Sequence, residues 1–204
     1  MGNQIENLNK HIKEKDYEKA ILESKAMLLN FPNNVVILNF LGVALNLNDE
    51  IEDSILIFKK ILTIDSSLEK VKVNLASAYK KNNQFREAAR LYLSLFESEK
   101  KSVKYGINLM ECYYINKNFD GCLEICKKIL SIDKNNLDAL MKISEVLYVK
   151  REYKEAISYL NKAKDTYQEN IKVLTLLAIV YFDTGDFKKS EEIYKTYLRD
   201  ILMN

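Results

Sequence analysis

Residues 35–68 decide the fold, and they read VVILNFLGVALNLNDEIEDSILIFKKILTIDSSL. In the first part, apolar side chains recur at Leu38, Leu41 and Leu45, a spacing that places them on one face of an α-helix. An Asn-Asp-Glu sequence follows, which supplies turn and N-cap residues. The helical period then resumes over Ile51–Ile64. The stretch therefore predicts two helices that a short turn joins into an antiparallel hairpin.

The same pattern recurs every 34 residues through all 204 residues without insertion or deletion. One column holds a large apolar residue in every repeat: Tyr17, Ile51, Phe85, Phe119, Tyr153 and Phe187. Three residues later, a second column holds small residues: Ala20, Ser54, Ala88, Cys122, Ala156 and Ser190. A small residue there lets the two helices of a hairpin approach closely, and the large residues fill the space between hairpins.

Composition agrees with an all-α fold. The chain has a single proline, Pro32, and five glycines, so helix breakers are rare. Apolar residues make up 48% of the chain, which is enough to bury a core. The formal net charge of +2 rules out gripping nucleic acid by overall charge alone.

The repeat resembles the tetratricopeptide repeat family. In repeat two, the family pattern is matched by Leu38, Leu41, Gly42, Leu45, Ser54 and Phe58. The resemblance covers the chain as six repeats over 1–34, 35–68, 69–102, 103–136, 137–170 and 171–204, and Pro32 is the one terminal proline kept. It implies a single solenoid, a right-handed superhelix with the first helix of each hairpin lining a concave groove. It further implies a non-enzymatic scaffold or adaptor that binds a protein or peptide segment in that groove.

The resemblance also assigns groove positions, residue by residue. The expected peptide-binding groove comprises Asn39, Phe40, Val43, Lys70, Asn74, Ser77, Lys104, Asn108, Glu111, Lys142, Tyr148, Leu176, Ile179 and Phe182. Among them, Asn74 and Asn108 occupy equivalent slots, where a side-chain amide can hold a peptide backbone. Over all six first helices the groove slots carry seven lysines and five acids, with the lysines concentrated in repeats three and four.

The last helix raises an alternative, a structural subunit that self-associates. Repeats in a solenoid need a polar cap, and no further helix is expected to cover the last one. We therefore expect a C-terminal association face made of Tyr194, Tyr197, Leu198 and Ile201. A second alternative, RNA binding by a helical repeat, is disfavoured because base-stacking aromatics are few and lack a period.

Catalytic chemistry has little support in the sequence. His11, the only histidine, stands in a column otherwise filled by leucine and tyrosine, so we interpret it as a packing residue. The spacing of Cys122 and Cys126 on one helix face, with Cys112 on the preceding helix, could suit a metal, but both lie in core columns. We expect no catalytic residue, no metal and no cofactor.

Location follows from the cysteine count and from the absence of long apolar runs. Three cysteines cannot form a disulfide framework, and an odd number fits a reducing compartment. The first fifteen residues lack an apolar stretch of signal-peptide length, and the longest apolar run, Val173–Phe182, is too short to cross a bilayer. We expect a cytoplasmic protein that does not insert into membranes.

Overall fold

The computed structural model describes residues 2–98 and 102–202, with side chains described up to residue 195. Within these ranges the chain forms twelve α-helices and no strand. They are α1 (Gly2–Lys13), α2 (Tyr17–Asn30), α3 (Val35–Leu47), α4 (Ile51–Ile64), α5 (Glu69–Lys81), α6 (Phe85–Phe96), α7 (Val103–Ile115), α8 (Phe119–Ile132), α9 (Leu137–Val149), α10 (Tyr153–Thr166), α11 (Ile171–Asp183) and α12 (Phe187–Leu202). The all-α prediction and the prediction of six helix hairpins are confirmed.

The helices group into two compact units, unit 1 (residues 1–100) with α1–α6 and unit 2 (residues 101–204) with α7–α12. In each unit every helix packs against the next one along the chain. The first helices of successive repeats also contact each other, α1 with α3 and α3 with α5 in unit 1, and α7 with α9 and α9 with α11 in unit 2. Each unit therefore has one face made of first helices. The single solenoid over 1–204 stays a prediction.

The repeat columns set where the helices begin and how closely they pack. The large apolar column supplies the first residue of every second helix, from Tyr17 in α2 to Phe187 in α12. All six residues of the small column are buried, as predicted. The hydroxyls of Ser54 and Ser190 also donate to the carbonyls of Gly42 and Ala178, 12 residues back on the first helix, both at 2.9 Å. The small column thus permits close approach and, where it is polar, ties the two helices together.

One turn geometry joins the two helices in all six repeats, each of which the structure describes at this point. A residue with positive φ lies two positions after the end of each first helix: Lys15, Asp49, Asn83, Lys117, Arg151 and Gly185. The amide of the next residue donates to the carbonyl five residues back, at 2.8–2.9 Å, which is the Schellman arrangement. The expected side-chain N-cap of α4 is wrong, because Glu50 caps no amide and instead accepts a bond from the Asn48 side chain at 2.8 Å.

The two helices of a hairpin also match each other in side-chain size at one level. A Cβ added to Gly42 would lie 2.7 Å from the ring of Phe58, which is fully buried. The residues at the same two positions in the other repeats keep this relation, a larger residue always facing a smaller one: Leu8 with Ser24, Ala76 with Tyr92, Met110 with Cys126, Ser144 with Leu160 and Ala178 with Tyr194. At this level, one large side chain therefore fills the space between the two helices, and it comes from either the first or the second helix.

We predict that the residue pair of repeat four, Met110 with Cys126, can replace Gly42 with Phe58 in repeat two. Gly42→Met alone should lower the free energy of unfolding by about 1–3 kcal/mol, because the new side chain meets the Phe58 ring. Adding Phe58→Cys should restore part of the loss, since the pair then reproduces Met110 and Cys126. Urea unfolding of both single variants and the double variant measures this coupling. Val36→Met, on the exposed side of the same helix, should cost less than about 0.5 kcal/mol. Strictly additive losses would contradict the prediction.

We also predict that glycine stabilises the intra-repeat turn. Lys117 adopts φ 58°, which costs an L-residue roughly 1–2 kcal/mol, so Lys117→Gly should raise stability by about 0.5–1 kcal/mol after the entropy of glycine is subtracted. Gly185→Ala should act in the opposite direction, because Gly185 has φ 82°. Lys127→Gly, an exposed position inside α8, is the matched control and should lower stability by about 1 kcal/mol. Thermal unfolding followed by circular dichroism tests all three signs.

Candidate functional site

The predicted groove residues all lie on first helices, and none of them is buried. Unit 1 carries six of them on α3 and α5: Asn39, Phe40, Val43, Lys70, Asn74 and Ser77. Unit 2 carries the other eight on α7, α9 and α11: Lys104, Asn108, Glu111, Lys142, Tyr148, Leu176, Ile179 and Phe182. Because the first helices of one unit contact each other, each set lies on one face of its unit.

The groove asparagines hydrogen-bond within the protein. In unit 1, the Asn74 amide nitrogen donates to the side-chain oxygen of Asn39 at 3.2 Å, which links α5 to α3. In unit 2, the Asn108 amide nitrogen donates to the carbonyl of Lys104, one turn back on the same helix, at 2.9 Å. Each bond uses one of the two N–H groups of the amide, so each asparagine is oriented by the fold before a ligand arrives.

The face of unit 1 has a small apolar pocket of about 440 Å³ between the N-terminal ends of α3 and α5. Half of its lining residues are aliphatic, and the polar half includes one acid and one lysine: Val35, Val36, Asn39, Ser67, Leu68, Glu69, Lys70 and Val71. Phe40 is half-buried and packs against the core cluster of Leu8, Met27 and Ile37. The predicted contact residue Phe40 therefore also contributes to the core.

Unit 2 has a cleft of about 760 Å³ on the corresponding face, formed by α7, α9, α11 and the turn before α11. Aliphatic residues and methionines form its apolar lining, in which Met110 is only 2% exposed: Ile107, Met110, Leu137, Met141 and Ile171. The rest of the lining is polar: Glu111, Asp138, Lys142, Glu145, Glu169, Asn170 and Lys172. Acids outnumber lysines four to two in this lining, whereas lysines outnumber acids over the predicted groove slots as a whole. We refer to it as the unit 2 cleft.

Lys142 is held in place by two neighbours in the unit 2 cleft. Its ammonium group forms an ion pair with Glu145 on the same helix and lies 4.0 Å from the centre of the Tyr114 ring. The side chain of Lys142 is only 20% exposed. The positive charge is thus already neutralised and packed, and Lys142 is less open to a ligand than the sequence suggested.

Aromatic residues repeat at the C-terminal ends of the first helices of unit 2. Tyr114 packs against Phe119 with ring centres 6.0 Å apart, and Phe182 packs against Phe187 at 5.2 Å. Tyr148 and Tyr153 form the equivalent pair at 5.9 Å. The expectation that groove aromatics lack a period is therefore wrong for this unit. These pairs are edge-on or tilted, with each ring packed against a second ring of its own repeat.

Tyr148 additionally links two repeats. Its hydroxyl donates to the carboxylate of Asp183 at 2.6 Å, which joins the ends of α9 and α11. This hydrogen bond raises the pKa of the Tyr148 hydroxyl, because an ionised phenolate would lose the bond and face a second negative charge. The side chains of Tyr148 and Leu176 also pack against the unit 2 core.

The histidine and the three cysteines that were considered for catalysis or metal binding pack against other residues of the protein. His11 is partly buried and lies 3.3 Å from a Glu23 carboxylate oxygen. Cys112, Cys122 and Cys126 are fully buried, and the Cys122 thiol points to the Met110 carbonyl at 3.5 Å. Hydrogen bonding to Cys122, together with burial, raises the pKa of the Cys126 thiol. Among the residues that the structure describes, no group of three or more His, Cys, Asp or Glu side chains is placed to hold a metal ion.

The predicted C-terminal association face is described only at Tyr194, which is 39% exposed. Tyr197, Leu198 and Ile201 lie outside the described side chains. A separate observation concerns membranes: over the described ranges, no helix combines the length and the apolar character that a membrane span requires.

Sequence comparison finds two family models that match parts of the chain. Residues 116–197 match the model of anaphase-promoting complex, cyclosome, subunit 3, and residues 73–101 match a tetratricopeptide repeat model. No curated protein sequence matches the chain significantly.

Several solved structures are similar over most of the chain. A tetratricopeptide repeat protein from Parabacteroides merdae is 16% identical with a TM-score of 0.79, covering 97% of this chain and 78% of that one. MamA is 23% identical with a TM-score of 0.72, covering 84% and 96%. YrrB, described as a tetratricopeptide repeat protein with an unusual peptide-binding site, is 12% identical with a TM-score of 0.68, covering 86% and 91%. At these identities the similarity establishes the fold.

Burial of the three thiols gives a testable prediction. In the native protein, Cys112, Cys122 and Cys126 should react with a thiol reagent far more slowly than free cysteine, because their sulfurs are shielded from solvent. In denaturant, all three should react rapidly. Ser158→Cys, at an exposed position of α10, is the control and should add one fast native equivalent. Rapid native labelling of an original cysteine would show that unit 2 opens locally around α7 and α8.

Proposed function

Because this chain is a tetratricopeptide repeat protein, we propose that it is a non-enzymatic interaction scaffold that binds a segment of a partner protein on its first-helix faces. The observation that carries this proposal is the unit 2 cleft, in which an apolar lining and a polar rim meet on α7, α9 and α11. Binding sites commonly combine these two features, since the apolar part supplies affinity and the polar groups supply orientation.

The state of the groove side chains supports binding. All fourteen predicted groove residues reach solvent at least in part, although side chains on the other side of the same helices are buried. Several are pre-oriented, such as Asn74 by Asn39 and Tyr148 by Asp183. Side chains that are already oriented lose less conformational entropy when a segment binds, so the entropic cost of binding is lower.

The arrangement of charged groups supports a scaffold better than a catalyst. Within the unit 2 cleft, Lys142 is paired with Glu145 and packed on Tyr114. His11 lies in unit 1, where its ring meets Glu23 between α1 and α2. Such side chains orient and stabilise the helices that they join, and the proposal therefore assigns no reaction to them.

The similarity to YrrB adds support by analogy. That protein's description names a peptide-binding site, and its fold aligns with 86% of this chain. We infer that a peptide-sized partner segment is the appropriate probe. For this chain, we place candidate contacts on Asn74 in unit 1 and on Asn108 in unit 2, with the first-helix residues around each of them.

The experiment begins with selection of peptides from a random displayed library against the full chain. Asn74→Ala combined with Asn108→Ala should then weaken the selected peptides by roughly tenfold, because two oriented amides are lost. Circular dichroism should still show a folded protein, since each amide contributes only about 0.5–1.5 kcal/mol.

The matched control removes two asparagines that lie outside the first helices, Asn30→Ala with Asn135→Ala, and should leave the affinity unchanged. Equal loss in both double variants, or no loss in either, would show that the contact does not lie on Asn74 and Asn108. If no peptide is selected and light scattering shows a concentration-dependent oligomer, the self-associating structural subunit becomes the better description.

A further inference from the structure

We propose that Cys122 and Cys126 form a buried two-thiol site for a soft monovalent metal ion, Cu(I), with Met110 as an additional sulfur ligand. The proposal is carried by the juxtaposition of two thiols one turn apart on α8 with a methionine that faces them from α7. It goes beyond the proposed function, because the site lies inside the α7–α8 hairpin and needs no bound segment.

The two thiols are held next to each other on one side of α8. Residues four apart in a helix share a face, with their Cβ atoms about 5–6 Å apart. The thiols of Cys122 and Cys126 hydrogen-bond to each other, and both side chains are fully buried. The Cys122 thiol also points to the backbone carbonyl of Met110, at 3.5 Å. The fold therefore fixes two sulfur atoms close enough for one small ion to bridge them.

Met110 adds a third sulfur atom at the same level of the hairpin. It occupies the first-helix position opposite Cys126, the pair of positions at which Gly42 meets Phe58 in repeat two. Thiolate and thioether ligands select Cu(I), whereas a structural zinc ion ordinarily takes four ligands. Over the described ranges, no three His, Cys, Asp or Glu side chains are placed around a common metal position. This set of sulfur atoms therefore suits Cu(I) and not zinc.

Packing alone does not require thiols at these two positions. The column of Cys122 holds alanine in repeats one, three and five and serine in repeats two and six. The column of Cys126 ranges from serine in repeat one to phenylalanine in repeat two. Cysteine occurs in either column only in repeat four, where both columns have it and a methionine stands opposite. The soft ligands thus coincide in one hairpin.

Binding replaces two S–H bonds by two Cu–S bonds. Both protons leave to solvent, and no electron is transferred because the metal enters as Cu(I). Loss of the first proton is favoured because the Cys126 thiol donates to the Cys122 thiolate, which lowers the pKa of Cys122. The occupied site carries one net negative charge. The Lys142 ammonium attracts that charge, its partner Glu145 opposes it at Cys122, and neutral Met110 adds none.

A metal ion has a short route to these sulfur atoms from the unit 2 cleft. Met110, whose carbonyl faces the Cys122 thiol, belongs to the cleft lining, as do Lys142 and Glu145. The sulfur atoms therefore lie directly behind residues of the cleft wall. A small ion reaches them once these side chains move aside, with α7 and α8 still paired.

Anaerobic competition for Cu(I) tests the proposal on the full chain. The reduced protein is added to the coloured complex of Cu(I) with bathocuproine disulfonate, and the absorbance is followed until it is constant, because entry to buried sulfur atoms is slow. One Cu(I) per chain should transfer to the protein, with the helical circular dichroism signal unchanged. X-ray absorption at the copper edge should show sulfur ligands only. Bound Cu(I) should also raise the melting temperature of the protein.

Variants that keep the fold locate the ion. Cys122→Ala and Cys126→Ser each introduce the residue that repeat one has at that position. Each should weaken Cu(I) binding by more than about 100-fold, because even a residue that only hydrogen-bonds to a metal ligand is worth 10–100-fold. Met110→Leu should weaken binding by about tenfold. The matched control is Cys112→Ala, which introduces the residue of repeats two and three and should leave the affinity unchanged.

Four outcomes would overturn the two-thiol site: no transfer of Cu(I), transfer with loss of the helical signal, native affinity in Cys122→Ala or Cys126→Ser, or an equal loss in Cys112→Ala. Native affinity in Met110→Leu would overturn the role of Met110 as a ligand. The selection of peptides tests the proposed function separately, so failure of the metal site leaves that proposal standing.

Discussion

The fold depends on one contact, the close packing of the two helices inside each hairpin. The buried small column brings the second helix close to the first, and in repeats two and six a serine hydroxyl bonds to the carbonyl of the facing helix. At the next level along the hairpin, Gly42 leaves room for the ring of Phe58. Since the hairpins then stack through their neighbours, an error in this spacing would pass to the next repeat.

Much of the fold followed from the sequence, because a strict period repeats each local signal six times. The large apolar column predicted the first residue of every second helix. The turns were less readable. Lys117 and Arg151 carry no sign of positive φ in their own identity, and only their place after the first helix accounts for it. The rules for side-chain N-caps failed at Glu50, because backbone hydrogen bonds close the turn before α4.

The placement of the candidate residues on the first helices was predictable, but their interactions with one another were not. Placing residues on the first helices required only the repeat register, and the structure keeps all fourteen of them exposed or half-exposed. Sequence reasoning left out Leu137 and Glu169, since helix ends and turns join the cleft only after the repeats pack. It also counted Lys142 as a ligand contact, whereas the structure pairs this lysine with Glu145 and Tyr114. Charge counted along a helix cannot show which groups neutralise one another.

The size match between paired helices bears on how such a chain can change by recombination. Repeat two fills the gap from its second helix with Phe58, and repeat four carries Met110 on its first helix opposite Cys126. Duplication or exchange of a whole 34-residue unit preserves each matched pair. A crossover inside the turn would join Met110 to Phe58 or Gly42 to Cys126, which gives a steric clash or a void. The hairpin, and not the single helix, is therefore the smallest segment that recombination can exchange without repacking the protein interior.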